Sequence, residues 1–253
     1  MKKRVWISAF DRDEVASKKV FTDLHKYGLD LNGHFWPEFD DKKGWELPTE
    51  ELKTADAWVI LMSPESFENA HNRFSLNLTL MQLRQLKGDG FPVFIIGINK
   101  TENVLSSTYI SACEFINSAV LGVKVLAATT KVLPVIESEY RLNCHAIMGV
   151  GTWFEVGPIG DDWAGAMIAL AGADIDAHGV GPSGKLPQKA ILSYPYKGMK
   201  LEVDGIEFIG WGVENQLAAG ESYYIRIKGI PESMLFGESP IKNENADLYR
   251  CYF

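Results

Sequence analysis

Three short apolar runs constrain the fold of the first half of the chain: Arg4–Phe10 (R-V-W-I-S-A-F), Ala57–Met62 (A-W-V-I-L-M) and Pro92–Ile98 (P-V-F-I-I-G-I). None alternates between apolar and polar residues, so each suits a strand covered on both faces, as in a parallel sheet packed between helices. The segments between them change period. From Asp13 onward, Ala16, Val20, Phe21, Leu24 and Tyr27 fall on one helical face, with Lys18, Lys19, Asp23 and Lys26 on the other. Asp11 or Asp13 can cap that helix and Gly28 can end it. Leu29–Trp36 reads as a strand, Pro48–Thr54 as a short helix, and Asn72–Leu86 as a helix with Leu76, Leu80 and Leu83 inward. Strands alternating with helices predict an α/β fold with a parallel sheet. Sheets of this kind bind ligands beyond the carboxyl ends of their strands. Here those ends are Phe10-Asp11-Arg12, the loop around 36–45, Ser63-Pro64 and Asn99-Lys100.

A helix over Ser107–Leu121 and a further strand are expected next, and then the character changes. Glycine and proline become frequent, and Arg141–Met148, Thr152–Val156, Lys189–Tyr194, Lys200–Phe208 and Tyr223–Lys228 read as strands, with Asp204-Gly205 as a hairpin turn. Asp161–Ala173 is the one helix expected there. The organisation predicted is an α/β domain over 1–125 and a smaller β-rich domain over 126–253. Most of the net charge of −8 lies beyond residue 124. An acidic chain repels nucleic acid and anionic membranes, so neither is an expected partner. Three cysteines without paired spacing, a short apolar stretch at the N-terminus and no membrane-length apolar run point to a cytoplasmic protein.

The first hundred residues resemble the Toll/interleukin-1 receptor (TIR) family. The resemblance is carried by R-V-W-I-S-A-F-D-R-D as the opening strand and acidic loop, by a Trp- and Gly-bearing loop over 36–45, and by E-E-L-K-T-A-D-A-W-V-I-L-M-S-P-E-S-F. It implies a TIR-like (flavodoxin-like) sheet flanked by helices. It also implies NAD as substrate, cleaved at the nicotinamide–ribose bond on self-association in a prokaryotic antiphage system, with an activating signal sensed by the second domain. Phe10, Asp11, Arg12, Trp36, Asp40, Trp45 and Ser63 are the residues expected around the nucleotide: aromatics can stack on a ring and arginine can clamp a phosphate. Read from the residues alone, Phe10 is equally a core side chain and Asp11 a cap.

The family's catalytic glutamate sits on the helix after the Ser-Pro strand, and the overlay puts Asn77 in its place. Asn69–Gln82 contains no carboxylate at all. Asparagine can hold ribose hydroxyls but cannot supply the charge that an oxocarbenium-like transition state needs. Glu68 is the fallback carboxylate, nine residues too early for the same helical position. The alternative is a catalytically silent scaffold that binds a nucleotide or a partner protein. Other patterns are weak. Gly179–Lys185 satisfies G-x-x-x-x-G-K but lacks the following Ser or Thr. Asp174, Asp176 and His178 lack a further metal-ligand partner, so no metal is expected. Neighbours on a strand, Cys144 and His145 face opposite ways.

Overall fold

A computed structural model describes residues 2–38, 48–98, 107–131, 138–147, 149–187, 192–241 and 247–253. The chain forms two compact units, meeting in sequence at Ile136/Glu137.

The first unit is an α/β fold. Strands β1 (Arg4–Ala9), β2 (Asp30–Phe35), β3 (Ala57–Leu61), β4 (Val93–Ile96) and β5 (Glu114–Phe115) form one parallel sheet in the order β2-β1-β3-β4-β5. The chain leaves β1 to one side for β2, then crosses back to the other side for β3. The strand order therefore reverses between β1 and β3, the point where doubly wound sheets leave a crevice. One face of the sheet buries Val5, Ile7, Ala57, Val59 and Phe94 against Val20 and Leu24 of α1 (Glu14–His25) and Leu121 and Val125 of α5 (Leu121–Thr129).

Short helices α2 (Thr49–Lys53) and α3 (Pro64–Glu68) precede α4 (Ala70–Lys87). Local chemistry sets their ends. Asp13 caps α1 by accepting from the Ala16 amide at 2.9 Å. Ser63 caps α3 with Pro64 in its first turn, and Asn69 caps α4 by accepting from the amides of His71 and Asn72. The middle of α4 is enclosed on every side: each residue from Phe74 to Met81 is buried. This accounts for the lack of carboxylates from Phe74 to Met81, because an unpaired charge there would be stripped of water without compensation. The polar residues that do occur bond internally. Ser75 Oγ donates to Asn72 O, and Thr79 Oγ1 donates to Ser75 O.

Two expectations are corrected. Residues 108–113 form turns, not a helix; Ser107 Oγ accepts from the Ile110 amide there, and β5 follows at Glu114. The helix comes later, as α5. Leu121 and Val125 of α5 complete the first core, so α5 belongs to the first unit. Finally, Asp161–Ala173 holds a strand, β8 (Ala166–Ala171), every residue of which is buried. A central strand covered on both faces has no polar positions, so its period cannot be told from that of a buried helix.

The second unit is two antiparallel sheets. One has the order β10-β11-β8-β13-β14, from β10 (Tyr196–Val203), β11 (Ile206–Val213), β8, β13 (Ser233–Glu238) and β14 (Leu248–Tyr252). The other has the order β6-β7-β12-β9, from β6 (Tyr140–Ile147), β7 (Gly151–Pro158), β12 (Glu221–Lys228) and β9 (Asp174–Pro182). Ring contacts join the sheets: Phe154 stacks on Phe253 at 5.5 Å, Tyr140 meets Phe236 edge-on at 4.9 Å, and His178 meets Trp211 edge-on at 4.9 Å. The unit is a β-sandwich. As expected, Asp204 and Gly205 form the β10–β11 turn, both with positive φ. Among the described residues no helix is long and apolar enough to cross a membrane.

Candidate functional site

A cleft of about 540 Å³ opens at the reversal point of the parallel sheet. Its walls come from the carboxyl ends of β1 (Ala9, Asp11), β3 (Leu61, Met62, Ser63) and β4 (Ile96, Gly97), and from the first turns of α1. The floor is mostly apolar. Polar atoms come from Asp11, Asp13, Ser17, Lys19, Ser63 and Ser118. Gly97 lets the ends of β3 and β4 approach closely at the cleft: its φ is +102°, and a Cβ there would lie 2.4 Å from the Met62 carbonyl oxygen. Ser17 Oγ, near the start of α1, is buried and meets no partner among the described residues, so it is a hydroxyl that a bound molecule can satisfy.

Asp11 does not cap α1. Its carboxylate accepts from the Ser63 amide at 2.8 Å, from Ser63 Oγ at 2.9 Å and from Ser66 Oγ. Those bonds tie the end of β1 to the start of α3 and so fix the width of the cleft. Burial pushes the Asp11 carboxyl up, but the bonds from Ser66 and Ser63 outweigh it, and the net shift is downward. The group stays ionised and is committed to its serines.

The expected site residues divide. Asp11 and Ser63 line the cleft together. Phe10 lies beside it, its ring stacked on Trp36 at 4.3 Å and 17°. Trp36 is 5% exposed, donates from Nε1 to Ser75 Oγ on α4 at 2.9 Å and stacks near Trp58 at 6.1 Å. One face of the Phe10 ring is thus occupied within the protein, and the pair cements the sheet to α4. Arg12 is exposed and lies 3.9 Å from Glu38 in an ion pair. Asp40 and Trp45 lie outside the described residues. Glu68 is exposed at the end of α3, where its carbonyl accepts from Arg73.

Asn77 is not brought to the cleft. It is fully buried in α4; Nδ2 donates to the Arg73 carbonyl at 3.0 Å, and Oδ1 accepts from Ser107 Oγ at 2.8 Å. Ser75, two residues away and thus on the opposite side of the helix, is the one that faces Trp36. Ser17, Lys19, Gly97 and Ser118 were missed from sequence. For Ser17 a signal existed: it follows Ala16 and precedes Val20 on the helix that starts at the sheet's carboxyl edge.

The weaker patterns take structural roles. Asp176 pairs with Arg226 at 2.7 Å and Lys228 at 3.6 Å, and His178 Nδ1 lies 2.9 Å from Tyr223 Oη. Among the described residues no group of three His, Cys, Asp or Glu side chains could hold a metal ion. Cys144 is buried, while His145 on the other face bonds Glu155.

Fold and cleft define a class: a doubly wound α/β domain with a crevice at its reversal point, followed by a β-sandwich. No family model matches the chain, and no curated protein matches it. Among solved structures, the chain is similar to a diflavin flavoprotein A3 from Nostoc sp., at 13% identity over 51% of this chain and 90% of that one, with a TM-score of 0.31. A likeness that shallow bears on neither ligand nor activity.

Proposed function

We propose that the first unit is a TIR-like module that binds a nicotinamide nucleotide in the reversal-point cleft and does not use residue 77 to cleave it. The observation that carries this reading is the separation of cleft and Asn77. Asp11 and Ser63, placed around the nucleotide by the family resemblance, line the open crevice, whereas Asn77 has both ends of its amide committed inside an enclosed helix. A neutral, sequestered amide offers no charge to a developing oxocarbenium ion. The cleft's mostly apolar floor and scattered hydroxyls suit a planar ring with a ribose attached. The output of such a module is binding, coupled to self-association.

The test is calorimetric titration of the full chain with NAD, together with chromatographic assay for free nicotinamide. Binding without nicotinamide release is expected. Ala16→Phe, which fills the cleft from α1, should abolish binding while the circular dichroism spectrum is retained. Nicotinamide release by the unaltered protein, no binding of NAD, or binding indifferent to Ala16→Phe overturns the reading.

A further inference from the structure

Glu155 of the sandwich is unusual for its position. It lies on the face of β7 turned away from the other sheet, since its neighbours Phe154 and Val156 are the ones buried between the sheets. Side chains on such a face normally meet water, yet the Glu155 side chain is 0% exposed. Four groups enclose it. Oε1 accepts from Arg141 Nε at 3.2 Å, Ser222 Oγ at 2.7 Å and the Gly184 amide at 2.8 Å, and Oε2 lies 2.7 Å from His145 Nε2.

The Gly184 amide belongs to the segment that follows β9. That segment, Ser183–Pro187, folds back over the sheet. The Lys185 amide donates to Tyr224 Oη at 3.2 Å, and Tyr224 Oη donates to the Pro182 carbonyl. Pro187 lies on Gly179 and Gly181 of β9; a Cβ on Gly179 would fall 2.7 Å from Pro187 Cγ, and one on Gly181 would fall 3.1 Å from Pro187 Cβ. The first glycine of the phosphate-loop-like pattern, Gly179, is thus part of a seat for this proline, together with Gly181.

We propose that Ser183–Pro187 is a strap that opens and closes as a unit over the outer face of the sandwich, with the Glu155 carboxylate as its latch. Two features support local opening. Among the described residues the strap is held by the Ser183 amide on the Gly220 carbonyl at 2.9 Å, by the Gly184 and Lys185 amides and by the seat of Pro187 on Gly179 and Gly181, with no apolar core of its own, and elements so attached lie at the low end of local stability. In addition, when the strap lifts, Arg141, Ser222 and His145 still hold the carboxylate. Arg141 is itself anchored to the Ala219 and Glu221 carbonyls. Opening therefore leaves no bare buried charge, which would otherwise forbid it. The open face presents the acceptors on Glu155 and Tyr224 that the Gly184 and Lys185 amides occupy when closed.

Limited trypsin digestion of the full chain reads the opening directly, because Lys185–Leu186 lies within the strap. Glu155→Gln keeps the shape but removes the charge that strengthens the Gly184 bond; Gly179→Ala leaves that bond alone and unseats Pro187. Both should speed cleavage at Lys185 about tenfold or more, the scale of one lost charge-assisted bond. Cleavage at Lys197 and Lys228 should be unchanged in both variants, and the melting temperature should be unchanged in Gly179→Ala. Should Glu155→Gln fail to fold, Gly179→Ala decides alone. Unaltered cleavage at Lys185 in Gly179→Ala overturns the proposal. So does acceleration at all three lysines together, which would mean the network holds the whole sandwich and not a strap.

Discussion

Asn77→Glu restores the carboxylate that the family resemblance puts at this position, and the structure fixes what it should do. The new side chain enters a site with no exposure, in a helix buried on all sides. Ser107 Oγ can still donate to it. The Arg73 carbonyl, which now accepts from Asn77 Nδ2, would instead face an acceptor. The lost hydrogen bond costs about 1 kcal/mol. Leaving a charge buried without an opposite partner adds roughly 3–5 kcal/mol. The introduced acid can avoid part of that by staying protonated, its pKa rising well above ~4.3. A raised folded-state value means the native state holds a proton that the unfolded state has released. The penalty should therefore be modest near pH 4–5 and grow as pH rises. Urea unfolding at pH 5 and pH 8 measures this directly. The difference between Asn77→Glu and the unaltered protein should be roughly 3 kcal/mol or more at pH 8 and distinctly smaller at pH 5. Asn77→Leu, which adds no charge, should cost about 1–3 kcal/mol with no such pH trend. If Asn77→Glu is as stable as the unaltered protein at pH 8 and releases nicotinamide from NAD, residue 77 faces a solvated catalytic pocket and is not enclosed.

Asp11→Asn should destabilise the first unit by about 2 kcal/mol, since three donors lose an ionised acceptor. Because the folded-state value is depressed, the Asp11 contribution is complete above ~4 and disappears as pH falls through the folded value. Thermal melts of the two proteins should therefore converge only in strong acid. His178 in the sandwich is pushed by burial, and then by Lys197, down to about 4. Its ring resonances should titrate there by NMR, and the stability it contributes while neutral is complete above ~6.5 and lost as pH falls from that value to about 4. A His178 midpoint near 6.5 would show that the imidazole is solvated.

The parallel sheet was legible because its strands announce themselves. A-W-V-I-L-M has no polar position, and Ser63-Pro64 and Asn69 are cap chemistry that acts within a few residues. The location of the cleft followed from topology alone, which requires only that β1 and β3 be recognised as strands of one sheet. The misread elements share a different cause. Ala166–Ala171 is buried on both faces, and Leu121–Thr129 continues an apolar pattern across the expected boundary. In neither does polarity mark the period or the end.

Side-chain commitments were the least legible, because partners distant in sequence decide them. Asp11 could cap its own helix by spacing, and yet Ser63 and Ser66, more than fifty residues on, claim it; Asp13 then takes the cap. Gly179 reads as the first glycine of a phosphate loop until Pro187 is found lying on it and on Gly181. Asn77 is the sharpest case. An amide in the place of a family carboxylate could mean either a weakened active site or a position that is no active site at all. Ser107, thirty residues away, supplies the donor that separates the two. A buried polar group must be satisfied from within, and asparagine can both give and accept where glutamate could only accept. The enclosure of the middle of α4 thus selects the neutral side chain on grounds of stability, which is why the absence of carboxylates from Phe74–Met81 reflects the burial of that stretch before it reflects any loss of chemistry.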